Sequence, residues 1–193
     1  MSSTPAAEVA RYTLPAQLLH WLIALLIFGL FPLGLYMHGL PLSVRKIELY
    51  SWHKWFGITV LLLVVLRIGW RLTHRPPPLP GDIPPWQQAT AALMHELLYL
   101  LMLCIPLSGW ALSSAAGVHV VWWGVWKLPN LLPANPAMAH LLELVHATLN
   151  YTLVALVAVH MAAALKHQFI DHDGVLLRML PRLLPRSLPR QRR

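Results

Sequence analysis

Leu144-Val-His146-Ala-Thr-Leu-Asn-Tyr-Thr-Leu-Val-Ala-Leu-Val-Ala-Val-His160-Met-Ala-Ala-Ala-Leu165 is a run of 22 residues without a single Asp, Glu, Lys or Arg. A helix crossing the hydrocarbon layer needs about 20 predominantly apolar residues, so this stretch spans once. Its two histidines say more than its hydropathy. His146 and His160 lie 14 residues apart, four turns at the 3.5-residue repeat of a left-handed bundle. At about 100° and 1.5 Å per residue they differ by about 40° in direction and stand about 21 Å apart along the axis. One face of one helix therefore presents an imidazole near each membrane surface. That spacing suits two stacked metal centres, not one.

The rest of the chain supplies matching spans. It is uncharged from Tyr12 to Val44 and from Leu97 to Trp126, and apolar from about Leu49 to Arg71, where Lys54 and Arg67 are the interruptions. Long basic side chains near helix ends reach the interface. Four helices are expected, near 15–37, 50–71, 92–115 and 142–165. They make one all-α domain over 1–193, an integral membrane four-helix bundle. The first is not a cleavable signal, because it lacks a basic leader followed by a short core and a small-residue cleavage site. Composition agrees: 57% of the 193 residues are apolar and 11% charged, against about a quarter charged in soluble domains. Disordered chains are poor in apolar residues, so disorder is excluded too. Cys104 is the sole cysteine, which rules out an intrachain disulfide, a C-x-x-C zinc site and a C-x-x-C-H haem attachment. The net charge of +8 does not point to nucleic acid, since the basic residues flank apolar runs or lie in the last twenty positions.

An even number of spans puts both termini on one side. That side holds Arg11, Arg67, Arg71, Arg75, Lys166, Arg178, Arg182, Arg186, Arg190, Arg192 and Arg193; the other holds Arg45, Lys46, Lys54 and Lys127. The positive-inside rule makes the first side cytoplasmic, with residues 174–193 as a basic cytoplasmic tail. Leu-Pro-Arg recurs in that tail at 180–182, 184–186 and 188–190. Its prolines prevent a regular helix, which predicts an unfolded basic strip, on anionic lipid or merely solvated. Arg75-Pro76-Pro77-Pro78-Leu79-Pro80 is a stiff, extended linker. Trp122, Trp123 and Trp126 read as anchors at the headgroup level.

Ionisable side chains inside spans are expensive and face a bundle interior or a functional group. His20, near the inner start of the first helix, should meet His160, near the inner end of the fourth. His53, near the outer start of the second, should meet His146 on the outer side. Zinc normally requires four ligands, and only two imidazoles converge at each level. Haem brings four ring nitrogens and takes one or two axial ligands from protein. Its propionates need basic partners, and Arg67 and Arg71 are available at the inner interface, Lys54 at the outer. Gly29, Gly34 and Gly57 leave space for a flat ring. Two axial histidines leave no open iron position, which favours electron transfer over O2 binding. His95, followed by Glu96, reads as an interfacial or hydrogen-bonded residue. His38, His74, His119, His140 and His172 read as solvated, and Glu143 as a charge capping the start of the fourth helix.

Several motifs now resemble the bacterial cytochrome b561 family over roughly residues 11–182. They are His20-Trp21, Trp52-His53-Lys54-Trp55-Phe56-Gly57, His146-Ala-Thr-Leu-Asn150-Tyr151, His160-Met-Ala-Ala-Ala-Leu-Lys-His167 and Leu176-Leu177-Arg178-Met179-Leu180-Pro181-Arg182. The resemblance implies a bundle holding two haems b on His20, His53, His146 and His160. Within the family it extends to the superoxide-oxidising, quinone-reducing members. These imply an oxidoreductase in which superoxide gives up one electron at the periplasmic face, and ubiquinone becomes ubiquinol after two such events. Lys54, with Arg45, Lys46 or Lys127, would draw the superoxide anion in. His167, two turns beyond His160 on nearly the same face, is the candidate quinone contact or proton donor; Lys166 is the weaker one. No obligate protein partner is expected.

Two other functions fit the same residues. A dihaem carrier would connect the quinone pool to a protein redox partner, although short outer loops leave little room for one. A non-haem metal transporter would need a polar path, but between Leu144 and Leu165 only the histidines, Thr148, Asn150, Tyr151 and Thr152 are polar.

Overall fold

The computed structural model describes residues 11–78 and 83–181. Four long helices dominate: α1 (Leu14–Gly39), α2 (Val44–Thr73), α3 (Pro85–Ala115) and α4 (Pro136–Lys166). All four are long and apolar enough to cross a membrane. Three of them begin well before the apolar segments do, at 44, 85 and 136 instead of about 50, 92 and 142. The reason is capping, which hydropathy does not register. Ser43 accepts from the backbone N–H of Lys46, Asn135 accepts from that of Met138, and prolines occupy the first turns of α3 and α4. Such residues satisfy or dispense with the donors a helix start leaves unpaired, so the helices extend beyond the apolar segments. Glu143, about two turns inside α4, therefore does not cap it.

Packing follows chain order. α1 lies on α2, α2 on α3, and α3 on α4, while α4 barely approaches α1 or α2 through its backbone. One buried cluster joins Ile23 of α1 to Val60 and Val64 of α2. A second joins Leu98 and Leu101 of α3 to Leu153 of α4, with Ile27 of α1 reaching in. Leu153 sits midway between His146 and His160 in sequence, so the bundle is sealed by aliphatic side chains between the two histidine levels. Outward faces carry Leu25, Phe28, Leu66 and Leu100, all more than half exposed. Apolar residues facing outward are what a lipid solvent permits.

Between α3 and α4 lies a small hairpin, β1 (Val121–Trp122) paired antiparallel with β2 (Trp126–Lys127). Trp123 and Gly124 form its tip with φ of 52° and 70°. This hairpin is more than a row of anchors. Trp122 Nε1 donates to the Trp55 carbonyl and the Thr59 hydroxyl, both at 3.2 Å, and Trp55 Nε1 donates to the Val121 carbonyl at 2.6 Å. Trp123 packs on Trp55 and Phe56 at 5.6 and 5.4 Å. Trp126 is exposed on β2 and packs on Trp122 at 5.3 Å.

The described part of the C-terminal segment is folded, not an extended strip. After α4 come a π-helical turn (His167–Asp171) and a 3-10 turn (Leu176–Met179), and the latter docks on the inner end of α1. The Arg178 carbonyl accepts from Tyr12 N–H and Gln17 Nε2, both at 3.1 Å; the Met179 carbonyl accepts from Trp21 Nε1 at 2.9 Å. Arg178 itself is buried and donates to the Pro78 carbonyl. Prolines do exclude a regular helix here, but the backbone carbonyls left outside a helix serve as acceptors for α1. Residues 182–193, with most of the basic tail, and the 79–80 end of the linker lie outside the described residues.

Gln17 is almost fully buried and bridges the carbonyls of Tyr12 and Arg178. Gln17→Ala takes a donor from both acceptors, so we expect a loss of about 1–3 kcal/mol, read as a lower unfolding temperature in detergent. Leu72→Ala, at an exposed position near the end of α2, serves as the unaffected control.

Candidate cofactor site

Four imidazoles bridge the gap that the backbones leave between α4 and the α1–α2 pair. On the outer side His53 of α2 faces His146 of α4, with ring centroids 6.3 Å apart and planes at 77°. On the inner side His20 of α1 faces His160 of α4, again at 6.3 Å, with planes at 65°. A metal–imidazole bond is about 2.0–2.1 Å long, so two rings bonded to opposite sides of one metal have centroids roughly 6 Å apart. Both pairs have that separation.

The outer pair has the fuller setting. His146 Nδ1 lies 3.0 Å from the Ile105 carbonyl and 2.9 Å from Ser108 Oγ, and that hydroxyl also reaches the Ile105 carbonyl at 2.7 Å. Bonding to the carbonyl assigns the proton to Nδ1 and leaves Nε2 as the basic nitrogen, the usual arrangement of a metal-bound histidine. His53 Nδ1 is buried without a hydrogen-bond partner among the described residues. A neutral imidazole nitrogen stranded in that way costs about 1–3 kcal/mol. The space between the rings is lined by Leu30, Phe31, Gly57, Met102, Asn150 and Val154, apolar but for the amide. Two glycines permit the imidazoles their positions. A Cβ on Gly109 would stand 3.0 Å from His146 Cε1, and one on Gly34 would stand 3.3 Å from His53 Cε1. Gly57 lines the gap, whereas Gly29 faces open space.

The inner pair has a third imidazole beside it. His95 of α3 lies 5.6 Å from His160, edge to face, so it belongs to this cluster and is not an isolated interfacial residue. Its sequence context, a lone histidine before Glu96, carries no sign of that; only the α3–α4 packing reveals it. Arg67 is buried, with Nε donating to Tyr99 Oη at 2.9 Å and Nη1 to the Ala16 carbonyl. Arg71 lies over the Tyr99 ring at 5.7 Å. The donor set, four neutral-capable imidazoles in two facing pairs with guanidiniums at one end, fits an apolar macrocycle carrying carboxylates.

A model of the prokaryotic cytochrome b561 family matches residues 11–182. The chain belongs to that family. Cytochrome b561 homolog 2 of Escherichia coli K12 is 37% identical, over 93% of this chain and 95% of its own length. Cytochrome b562 of Cereibacter sphaeroides is 33% identical over 88% and 94%. Probable superoxide oxidase CybB of Yersinia pestis is 27% identical over 84% and 92%. The cytochrome is thus a multi-pass bacterial membrane protein that binds haem b and transfers electrons. Membership in a haem family displaces the metal-transport alternative.

The remaining candidates fall in different places. Lys54 is partly buried beside His53, and Lys127 is exposed on β2. Two of the outer cations expected beside them are committed elsewhere: Lys46 Nζ donates to the Leu40 carbonyl at 2.6 Å, capping the end of α1, and Arg45 pairs with Glu48 at 3.5 Å. His167 opens the π-helical turn with Nδ1 2.5 Å from Asp173 and 3.3 Å from Asp171, while Lys166 pairs with Asp171. Pattern reading misses these two carboxylates because they lie between the expected span and the expected tail, where no spacing ties them to His167. At the outer surface His38 and His140 flank Glu143 at 3.7 and 4.0 Å, exposed.

Gly109→Ala should push His146 aside. We expect the haem b absorbance of the purified variant to fall, with Gly29→Ala, which has open space for its methyl group, retaining the full spectrum.

Proposed function

We propose that the cytochrome carries two haems b, one between His20 and His160 and one between His53 and His146, and oxidises superoxide at the periplasmic face while reducing ubiquinone. The observation that carries this reading is the pair of 6.3 Å imidazole separations at opposite ends of α4. Haem b, when bound, supplies a one-electron carrier at each level. Arg67 and Arg71 would hold the inner propionates. Both termini are cytoplasmic in this reading, in accord with the excess of basic residues at the inner ends of the helices.

The chemistry balances as two superoxide anions yielding two molecules of O2 and two electrons, and ubiquinone taking those electrons with two protons to become ubiquinol. Lys54 and Lys127 draw the anion toward the outer end, where the field of a few exposed cations raises the encounter rate. His167 supplies a proton at the inner end. Its Nδ1–H donates to Asp173, which turns Nε2 toward the quinone; a proton taken from water onto Nε2 passes from there to a quinone oxygen, once for each of the two protons. The small substrate is favoured by the hairpin, which packs against α2 through Trp55 and Trp122 and holds the outer face close to the bundle. The likeness to a probable superoxide oxidase adds support.

Two experiments test this. In a mutation series, His20→Ala and His160→Ala should lose one haem and leave the same spectrum, while His53→Ala and His146→Ala should lose the other; crossed behaviour would overturn the pairing. In stopped-flow spectroscopy, superoxide should reduce the oxidised cytochrome faster than it dismutates, and ubiquinone should reoxidise it. A haem spectrum indifferent to superoxide would direct the search to a protein electron donor. Lys54→Gln should slow the reduction severalfold, and more at low than at high salt.

A further inference from the structure

At the inner end of the bundle a cavity of about 120 Å³ opens between the segment preceding α1, the last turns of α2 and the first half of α3. Five basic side chains line it: Arg11, Arg67, Arg71, His74 and Arg75. Among the described residues no carboxylate lines it, and no ion pair uses any of these five. With Arg67 and Arg71 given to the propionates in the reading above, the guanidiniums of Arg11 and Arg75 still outweigh the partial negative charge of about half a unit at the C-terminal end of α2. A site so lined is completed by an anion.

The five divide into two groups. Arg67 is buried, with Nε and Nη1 committed to Tyr99 and Ala16, and Arg71 lies against the same tyrosine; these two are near the inner histidines. Arg11, His74 and Arg75 form the outer rim. Arg11 is held by its bond to the Leu180 carbonyl at 3.1 Å. His74 is stacked on Trp70 at 3.8 Å, and Trp70 in turn donates to Thr13 at 2.8 Å. The rim is therefore built, with His74 fixed by stacking and Arg11 by a contact that leaves its charge available. It also sits where α2 gives way to the proline linker at 76–78, at the level where a span leaves the hydrocarbon.

We propose that this rim seats the phosphodiester of one anionic phospholipid from the cytoplasmic leaflet. Basic pockets between transmembrane helices on that side bind anionic headgroups. The cavity, of about 120 Å³, has room for one phosphate group. Its position at the headgroup level lets the acyl chains lie along the apolar outer face of α2, where Leu66 and Leu72 are exposed. Bound there, the lipid would tie the segment before α1 to the end of α2.

Native mass spectrometry of the full-length cytochrome tests this, after reconstitution with dioleoyl phosphatidylglycerol or dioleoyl phosphatidylcholine and transfer to detergent. We expect one phosphatidylglycerol retained per chain, phosphatidylcholine washed out, and no displacement by inorganic phosphate. Arg75→Gln and Arg11→Gln should each weaken retention about fivefold with haem absorbance intact, and Arg75→Lys should restore most of it. Arg75 makes no ion pair among the described residues, so its variant reports on the lipid even where Arg11→Gln disturbs the docked C-terminal segment. Equal retention of both lipids, unchanged retention in Arg75→Gln, or displacement by inorganic phosphate alone would overturn the proposal. So would loss of haem absorbance in Arg75→Gln, which would assign the rim to a propionate.

Discussion

Everything in this bundle is arranged around imidazoles that have nothing but one another to face. A polar nitrogen buried in lipid has no water to turn to, so it must be given a partner by the protein or by something the protein binds. His146 has a backbone carbonyl and a serine for one nitrogen, while His53 has neither for its Nδ1. The helices respond to this need by not closing. α4 packs its backbone chiefly on α3, and the gap it leaves toward α1 and α2 is crossed at two levels by facing rings. A bundle packed for stability alone would have filled that gap with leucine.

Much of this is legible in the chain. Four uncharged or nearly uncharged runs predict four spans, and the 14-residue interval in α4 orients two histidines to one side by arithmetic on helix geometry. What hydropathy does not register is the set of local signals that operate outside the hydrocarbon. Ser43 and Asn135 start helices ahead of the apolar segments, and their effect is a hydrogen bond, not a change in polarity. The hairpin at 121–127 is hidden for a related reason: its tryptophans look like interfacial anchors, and only the partners of Trp55 and Trp122 show that they join the loop to α2.

Near the candidate site, legibility depends on whether a residue acts through spacing or through contact. The facing histidines share helices or depths that sequence positions determine. Ser108, Gly109 and His95 act through α3, whose rotation about its own axis no pattern in the chain specifies. The same holds for Asp171 and Asp173, which reach His167 because α4 ends in a π-helical turn and the chain reverses at His172, where φ is 54°. Pattern reading leaves that region between the span ending near 165 and the tail starting at 174, with His172 as a solvated residue.

The docking of residues 178–180 on α1 has a bearing on how the protein is made. Gln17 and Trp21, which receive that segment, stand on either side of His20. The first helix to enter the membrane therefore carries an inner surface that stays unmatched while more than 150 further residues are synthesised. His20 faces His160 only once α4 is in place, and the backbone acceptors that brace its neighbours arrive later still. The inner end of the bundle is thus the last part to be assembled, and anything that must enter between its helices has until then a way in from the side.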